Sequence, residues 1–285
     1  MIGDLAGLIA PLSVDAFRKH LARRVPLSLH SDGDVATLLD WDGFFDAALR
    51  DDFPARRLRV TKEARLLPTI FYRHDGKVRR DVVAKVLEGG GSLIAYDLHS
   101  FVTALARLVA SAAAETGEHV LCAAIAGTGE HGALPVHYDD GDLLIIQIAG
   151  SKQWIVHADP MIDPVVGARH VQSDAAPVPL LDTVLAPGDM LLLPAGYRHH
   201  CMVAGERSLH IGLLFYPLTA PRVLDLMMRD MFDSALARRP IRGDAEREPD
   251  QEAALKRLLL ERIERLSLAE LRTAHRTVAL PAGLA

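Results

Sequence analysis

The stretch from 135 to 154, Pro-Val-His-Tyr-Asp-Asp-Gly-Asp-Leu-Leu-Ile-Ile-Gln-Ile-Ala-Gly-Ser-Lys-Gln-Trp, gathers side chains suited to holding a metal ion. His137 and Asp139 stand two apart. In an extended segment alternate side chains share a face, so an imidazole nitrogen and a carboxylate oxygen point the same way. The apolar run from Leu143 to Ile148 is rich in β-branched residues, and Gly150-Ser151 after it has the composition of a two-residue hairpin turn. With that turn, Ala149 faces Lys152 and Gln147 faces Trp154. Lys152 then shares the face of the odd-numbered residues His137 and Asp139, which puts a cation near the metal. A bulge at Asp140-Gly141-Asp142 would reverse this parity.

A third ligand should come from a second strand. Residues 187–200, Pro-Gly-Asp-Met-Leu-Leu-Leu-Pro-Ala-Gly-Tyr-Arg-His-His, supply a turn, a short apolar strand, a second turn and two histidines. Two histidines and one carboxylate on one face of a metal leave several coordination positions open, the arrangement suited to non-haem Fe(II) oxygenases. His199 is the expected ligand, because His200 points to the opposite face of an extended segment. Solitary histidines such as His30, His74 and His275 read as structural or solvated. His210, on a late apolar strand, reads either as a hydrogen-bonded core histidine or as a neighbour of the ligands.

Taken together, the phrases H-Y-D, Q-x-x-G-x-K-x-W and P-G-D-x-L-x-x-P-x-G-x-x-H resemble the JmjC-type, cupin-like 2-oxoglutarate oxygenases, in particular the ribosomal-oxygenase branch. The likeness extends over roughly residues 13–240, with Phe17 to Leu27 similar to the family's opening helix and Gly91-Ser92-Leu93-Ile94 to its glycine-led strand. It implies a double-stranded β-helix (jelly-roll, cupin-like) core and Fe(II) held by His137, Asp139 and His199. It also implies 2-oxoglutarate as co-substrate, with Lys152 on the distal carboxylate, and hydroxylation of an unactivated C–H bond. One departure stands out. Related chains carry Asn and Tyr on the strand before H-Y-D, where this sequence has Ala123 and Ile125. Tyr138, Thr128 or Ser208 would then replace the lost contacts to the co-substrate, or the co-substrate binds differently or not at all. The rival readings are a catalytically silent cupin-like binding protein and a metal cupin enzyme that needs no keto acid.

The elements that must position these residues can be read along the chain of 285 residues, 49% of them hydrophobic, enough for a sizeable core. Ser13 can cap a helix with Val14, Phe17, Leu21 and Val25 at helical spacing, ending before Pro26. Val35 to Leu49 reads as a second helical region, Leu58 to Tyr72 as strands broken by Pro68, and Asp81 to Leu87 as a short helix. Leu93 to Tyr96 is a strand, Phe101 to Ala112 a helix that Gly117 ends, and His119 to Ala126 a strand. Met161 to Leu185, with several prolines, reads as a loop walling the site mouth. Ser208 to Phe215 is a late strand. Helices follow over Arg222 to Leu236 and Asp250 to Leu266, then Ser267-Leu-Ala-Glu270 forms a capping box. The fold class is mainly β with helical additions: a jelly-roll domain over 1–216, including its N-terminal helices, and a C-terminal helical segment over 217–285.

A net charge of −5 speaks against a broad nucleic-acid surface. Cys122 and Cys201 form no C-x-x-C pair, which fits a reducing cytoplasm. Neither a signal peptide nor a membrane-spanning run is apparent. Leu226, Met227, Met231, Leu255, Leu258, Leu259 and Ile263 offer apolar surface for a homodimer through the C-terminal helices, or for packing back on the barrel. The resemblance implies a peptide or protein side chain as substrate, with a small amino-acid-like metabolite as the alternative. The winged-helix domain of the ribosomal branch finds no room after the last helix.

Overall fold

The computed structural model of the protein describes residues 2–129, 134–165, 178–240 and 248–277. The chain separates into two compact units, one up to Tyr216 and one from Pro217. In chain order the first holds α1 (Leu5–Ile9), α2 (Val14–Arg23), β1 (Leu27–His30), α3 (Trp41–Ala48), β2 (Leu58–Lys62), β3 (Arg65–Leu66), α4 (Thr69–Tyr72) and β4 (Arg73–His74). It continues with β5 (Lys77–Val78), α5 (Arg80–Glu88), β6 (Ser92–Tyr96), α6 (Thr103–Thr116), β7 (His119–Thr128), β8 (Asp142–His157), β9 (Pro179–Leu185), β10 (Asp189–Leu193) and β11 (His199–Tyr216). The second holds α7 (Ala220–Met231), α8 (Glu248–Glu264) and α9 (Leu268–Thr277). Among the described residues no helix is long and apolar enough to cross a membrane.

The β-rich core has the order β1-β10-β8-β11-β7-β6-β2-β3, with β9 added on β8. Its backbone is the antiparallel pair β8 and β11, which stay joined from Val156↔His199 to Asp142↔Phe215. The run at 143–148 lacks strict polar alternation because both faces are buried. Leu144, Ile146 and Ile148 enter the main apolar core with Phe17, Leu105 and Phe215, while Leu143 and Ile145 join a smaller cluster with Trp154, Val156, Leu191 and Leu193. The β10 strand divides the same way, Met190 and Leu192 to the main core and Leu191 and Leu193 to the smaller one. A jelly-roll with helical additions is what the sequence pattern predicts.

The predicted hairpin at Gly150-Ser151 does not form. β8 runs straight through these residues because β11 offers a pairing partner on both sides of them. Gly150 instead marks a bend: its φ is +61°, and a Cβ there would meet the Arg207 carbonyl oxygen at 1.9 Å. The register with β11 shifts between Val203/Ser208 and again between Leu209/His210. The bend moves the phase of the strand, so Leu143 and Ile145 before it share an interior with Trp154 and Val156 after it. The buried Lys152 falls on the even-numbered face of that second arm.

Three smaller expectations also change. α2 is capped as predicted, Ser13 Oγ accepting from Ala16 N at 3.2 Å, but it ends at Arg23. Val25 leaves the helix and is 56% exposed, since Pro26 disfavours helical backbone in the residue before it. The region 35–49 splits into a 3-10 turn and α3, because the Asp40 carboxylate accepts from Gly43 N at 2.7 Å and starts a new helix. Pro179–Leu185, expected in a loop, is strand β9 paired to the second arm of β8; Leu181 and Leu185 pack inward and Leu180 and Val184 face out. The remainder of that predicted wall, 166–177, lies outside the described residues. In the second unit the Ser267 hydroxyl accepts from Glu270 N at 3.4 Å. Leu226, Met231 and Leu258 are buried, while Leu259 and Ile263 are exposed.

Gly150→Ala should lower stability by about 2 kcal/mol, since it adds a left-handed non-glycine residue to a backbone clash. Urea unfolding of the variant against the parent measures this, and an unchanged midpoint would contradict the bend.

Candidate metal centre

His137 and His199 come together through their backbones before their side chains matter. His137 N donates to His199 O at 3.1 Å and His199 N to His137 O at 2.7 Å, a two-bond bridge between segments far apart in sequence. The turn before His199 is fastened to the same place. Gly196 N donates to Asp139 O at 3.0 Å and Ala195 N to the Asp142 carboxylate at 2.8 Å. Gly196 is at φ +89°, and a Cβ would meet the Met161 carbonyl oxygen at 1.9 Å, so a side chain has no place there.

The imidazoles are oriented by carbonyls two residues upstream. His137 Nδ1 lies 2.9 Å from Pro135 O, and His199 Nδ1 lies 3.0 Å from Tyr197 O. A carbonyl only accepts, so each Nδ1 carries the proton and each Nε2 keeps a lone pair. Those nitrogens face one carboxylate: His137 Nε2 is 4.0 Å and His199 Nε2 3.7 Å from the Asp139 oxygens. All three ligand atoms lie within 4.8 Å of one another. Ligand atoms about 2.1 Å from one ion are about 3 to 4 Å apart, so a small contraction would close the set on a metal. Burial pushes the His199 pKa down to about 4 against the pull of Asp139, which keeps the ring neutral and able to ligate at neutral pH.

The three residues stand in the wall of a cavity running into the barrel. Tyr96, Ala123 and Ile125 line it from β6 and β7, and Trp154, Cys201, His210 and Gly212 from β8 and β11. Asp139 is the one carboxylate among the described lining residues. Lys152 lies behind the lining residue His210, 1% exposed, its Nζ donating to His210 Nδ1 at 3.4 Å. Burial, then the ammonium and His199, hold His210 well below its ordinary pKa, so the acceptor is a neutral ring.

Residues 100–223 match the JmjC domain family. The NO66 protein of Drosophila persimilis, a bifunctional lysine-specific demethylase and histidyl-hydroxylase, is 33% identical over 81 residues, 28% of this chain and 12% of that one. NO66 of Drosophila mojavensis is 31% identical over 105 residues, 35% of this chain and again 12% of the relative. The chain thus spans only a small part of the curated relatives it matches. Among solved structures, Escherichia coli YcfD aligns with a TM-score of 0.59 at 17% identity, covering 87% of this chain and 68% of that one. The YcfD ribosomal oxygenase in complex with cobalt and 2-oxoglutarate aligns at 0.55 and 16%, covering 94% and 74%.

The other residues singled out from sequence are placed unequally. Lys152 does not line the cavity but is buried behind it, in contact with the lining His210, on a continuous strand rather than after a hairpin. Ser208 is fully buried nearby, its hydroxyl accepting from Gln147 Nε2 at 3.0 Å, but it does not line the cavity. Thr128 is turned away, donating to the Leu87 carbonyl. Tyr138 is half-buried outside the lining, its phenol pushed up by burial and by Asp140. Trp154 lines the cavity between His199 and His210, with ring centroids 5.8 and 5.3 Å away. Its Nε1 is buried without a hydrogen-bond partner. His200 turns away from the ligands and stacks on His157, centroids 5.4 Å apart. Tyr96 gave no signal in sequence, because only the register of β6 with β7 places it beside Ala123 in the cavity wall.

Replacing His137, Asp139 or His199 with Ala should abolish stoichiometric binding of a divalent metal while circular dichroism stays unchanged, and His200→Ala should bind as the parent does. Metal retained in His199→Ala and lost in His200→Ala would reassign the third ligand.

Proposed function

We propose that this protein is an Fe(II)- and 2-oxoglutarate-dependent oxygenase that hydroxylates a side chain of a peptide or protein. The observation that carries the reading is a two-histidine, one-carboxylate face in the wall of a cavity that also holds His210, with a buried lysine directly behind that ring. The relatives point the same way: NO66 is named as a demethylase and histidyl-hydroxylase, and YcfD as a ribosomal oxygenase seen with cobalt and 2-oxoglutarate. Two free cysteines support a reducing compartment, and we assign the protein to the cytoplasm.

In this reading His137, Asp139 and His199 hold Fe(II) by Nε2, a carboxylate oxygen and Nε2. Iron with 2-oxoglutarate, when bound, supplies oxygen activation coupled to loss of CO2 and formation of succinate. The chain does the rest. Lys152 presents a buried ammonium that donates to the neutral His210; a carboxylate arriving there would gain a charge-assisted hydrogen bond in a site closed to water. The carbonyls of Pro135 and Tyr197 hold the imidazole protons on Nδ1 and so fix which nitrogen ligates. Leu143, Leu214 and Ile125 keep the cavity apolar between its two polar ends. The substrate side chain is positioned from the mouth, toward the coordination positions the three ligands leave free.

Lys152→Ala should weaken 2-oxoglutarate by about 2 to 5 kcal/mol, as expected for truncating one partner of a desolvated charge pair, and leave Fe(II) binding almost unchanged. Anaerobic titration of the Fe(II) protein with the keto acid, followed by its visible charge-transfer band, reads both quantities. No band in the parent protein would refute the oxygenase assignment. For the substrate, incubating enzyme, Fe(II), 2-oxoglutarate and ascorbate with peptide and metabolite pools should yield a peptide heavier by one oxygen with matching succinate. Oxygen gained by free metabolites alone would move the substrate to the small-molecule class.

A further inference from the structure

The cavity wall facing the metal ligands has a gap in its polar lining. Ala123 and Ile125 stand on β7 and line the cavity, so that strand sends no hydrogen-bonding side chain into it from either position. The neighbouring strand brings one back. Tyr96 on β6 is in direct register with Ala123, and Ala123 with Gly212 on β11. All three line the cavity. Adjacent strands are about 4.8 Å apart, and a phenol is longer than that spacing, so its ring can lie across an alanine and a glycine where larger residues would block it.

The ring is held from behind by Arg59, whose guanidinium carbon is 5.5 Å from the ring centroid. Burial raises the phenol pKa, with Arg59 opposing and the Asp139 carboxylate adding to the rise. The hydroxyl is therefore a protonated donor, and it senses the carboxylate ligand of the metal face across the cavity. No hydrogen bond joins it to another described residue. Lys152 stands behind the lining residue His210, its ammonium donating to that ring. The cavity thus has the phenol in the same wall system as Asp139 and a cation behind its lining at His210, and an anionic chain entering it would be drawn to both.

We infer that Tyr96 is a co-substrate-binding residue whose hydroxyl donates a hydrogen bond to the metal-proximal end of the keto acid, in place of the polar side chains missing at 123 and 125. This rests on the oxygenase reading given above. Its test is anaerobic titration of the full chain, loaded with Fe(II), by 2-oxoglutarate. Tyr96→Phe keeps the ring against Ala123 and beneath Arg59 and removes only the hydroxyl. The expected result is about a tenfold or greater rise in the keto-acid Kd, with Fe(II) affinity and Tm as in the parent. The same Kd in parent and variant overturns the inference and leaves the oxygenase reading standing, as does an unchanged Kd with a raised KM for peptide, which would make Tyr96 a substrate contact. A parent protein that binds Fe(II) but no keto acid overturns both.

Discussion

Everything in the candidate site depends on the pair of backbone hydrogen bonds between His137 and His199. Side-chain geometry is set within about half an ångström only when the backbones beneath it are fixed. Here two segments that meet nowhere nearby in sequence are fixed by their own N–H and C=O groups. His199 is also paired with Val156 of β8, so the bridge to His137 and the β8–β11 ladder hold the same residue from two different segments. It is fastened again where Gly196 and Ala195 donate to Asp139 and Asp142. A chain so tied needs no bound ion to bring its ligands within reach of one another.

The bend at Gly150 serves the site from a distance. A regular strand would keep one parity throughout, so Lys152 and Leu143 would face opposite sides of the sheet. The extra residue Ile148, skipped between Gln147↔His210 and Ala149↔Leu209 just before the bend, changes parity, and one long strand then puts Leu143 in the cavity wall and Lys152 behind the lining His210. The β11 strand is irregular at the same level, which lets the pair bend together without parting. The apolar cluster inside the barrel and the larger core outside it are built from alternate residues of the same strands, which ties the shape of the cavity to the packing of the helices.

Much of this was legible in the sequence, for identifiable reasons. The ligands announced themselves because His137 and Asp139 are local and His199 follows a turn with fixed glycine requirements. The jelly-roll followed from short apolar strands and their turns. Gly150 was misread since a glycine followed by serine has the same composition in a hairpin as in a bend, and only the partner strand decides. The strand β9 was hidden by prolines near an edge. Tyr96, Trp154 and the turning away of Thr128 could not be read, because each depends on which residues the register of a neighbouring strand places beside it.

The way the two imidazoles are held has an electrostatic consequence. Many metal-bound histidines rest on a second carboxylate, whereas both of these rest on neutral carbonyls, and Asp139 is the one acidic group among the described residues lining the cavity. A divalent ion with one carboxylate carries a residual charge of about +1, and Lys152 behind the lining adds about one more. An interior of low polarity tolerates such an imbalance poorly. A small dicarboxylate would cancel it, one negative charge at each end. Monoanions of the same size would leave Lys152 uncompensated, and neutral molecules would leave both charges so. Selection among small metabolites would then be made by overall charge balance before any individual hydrogen bond is formed.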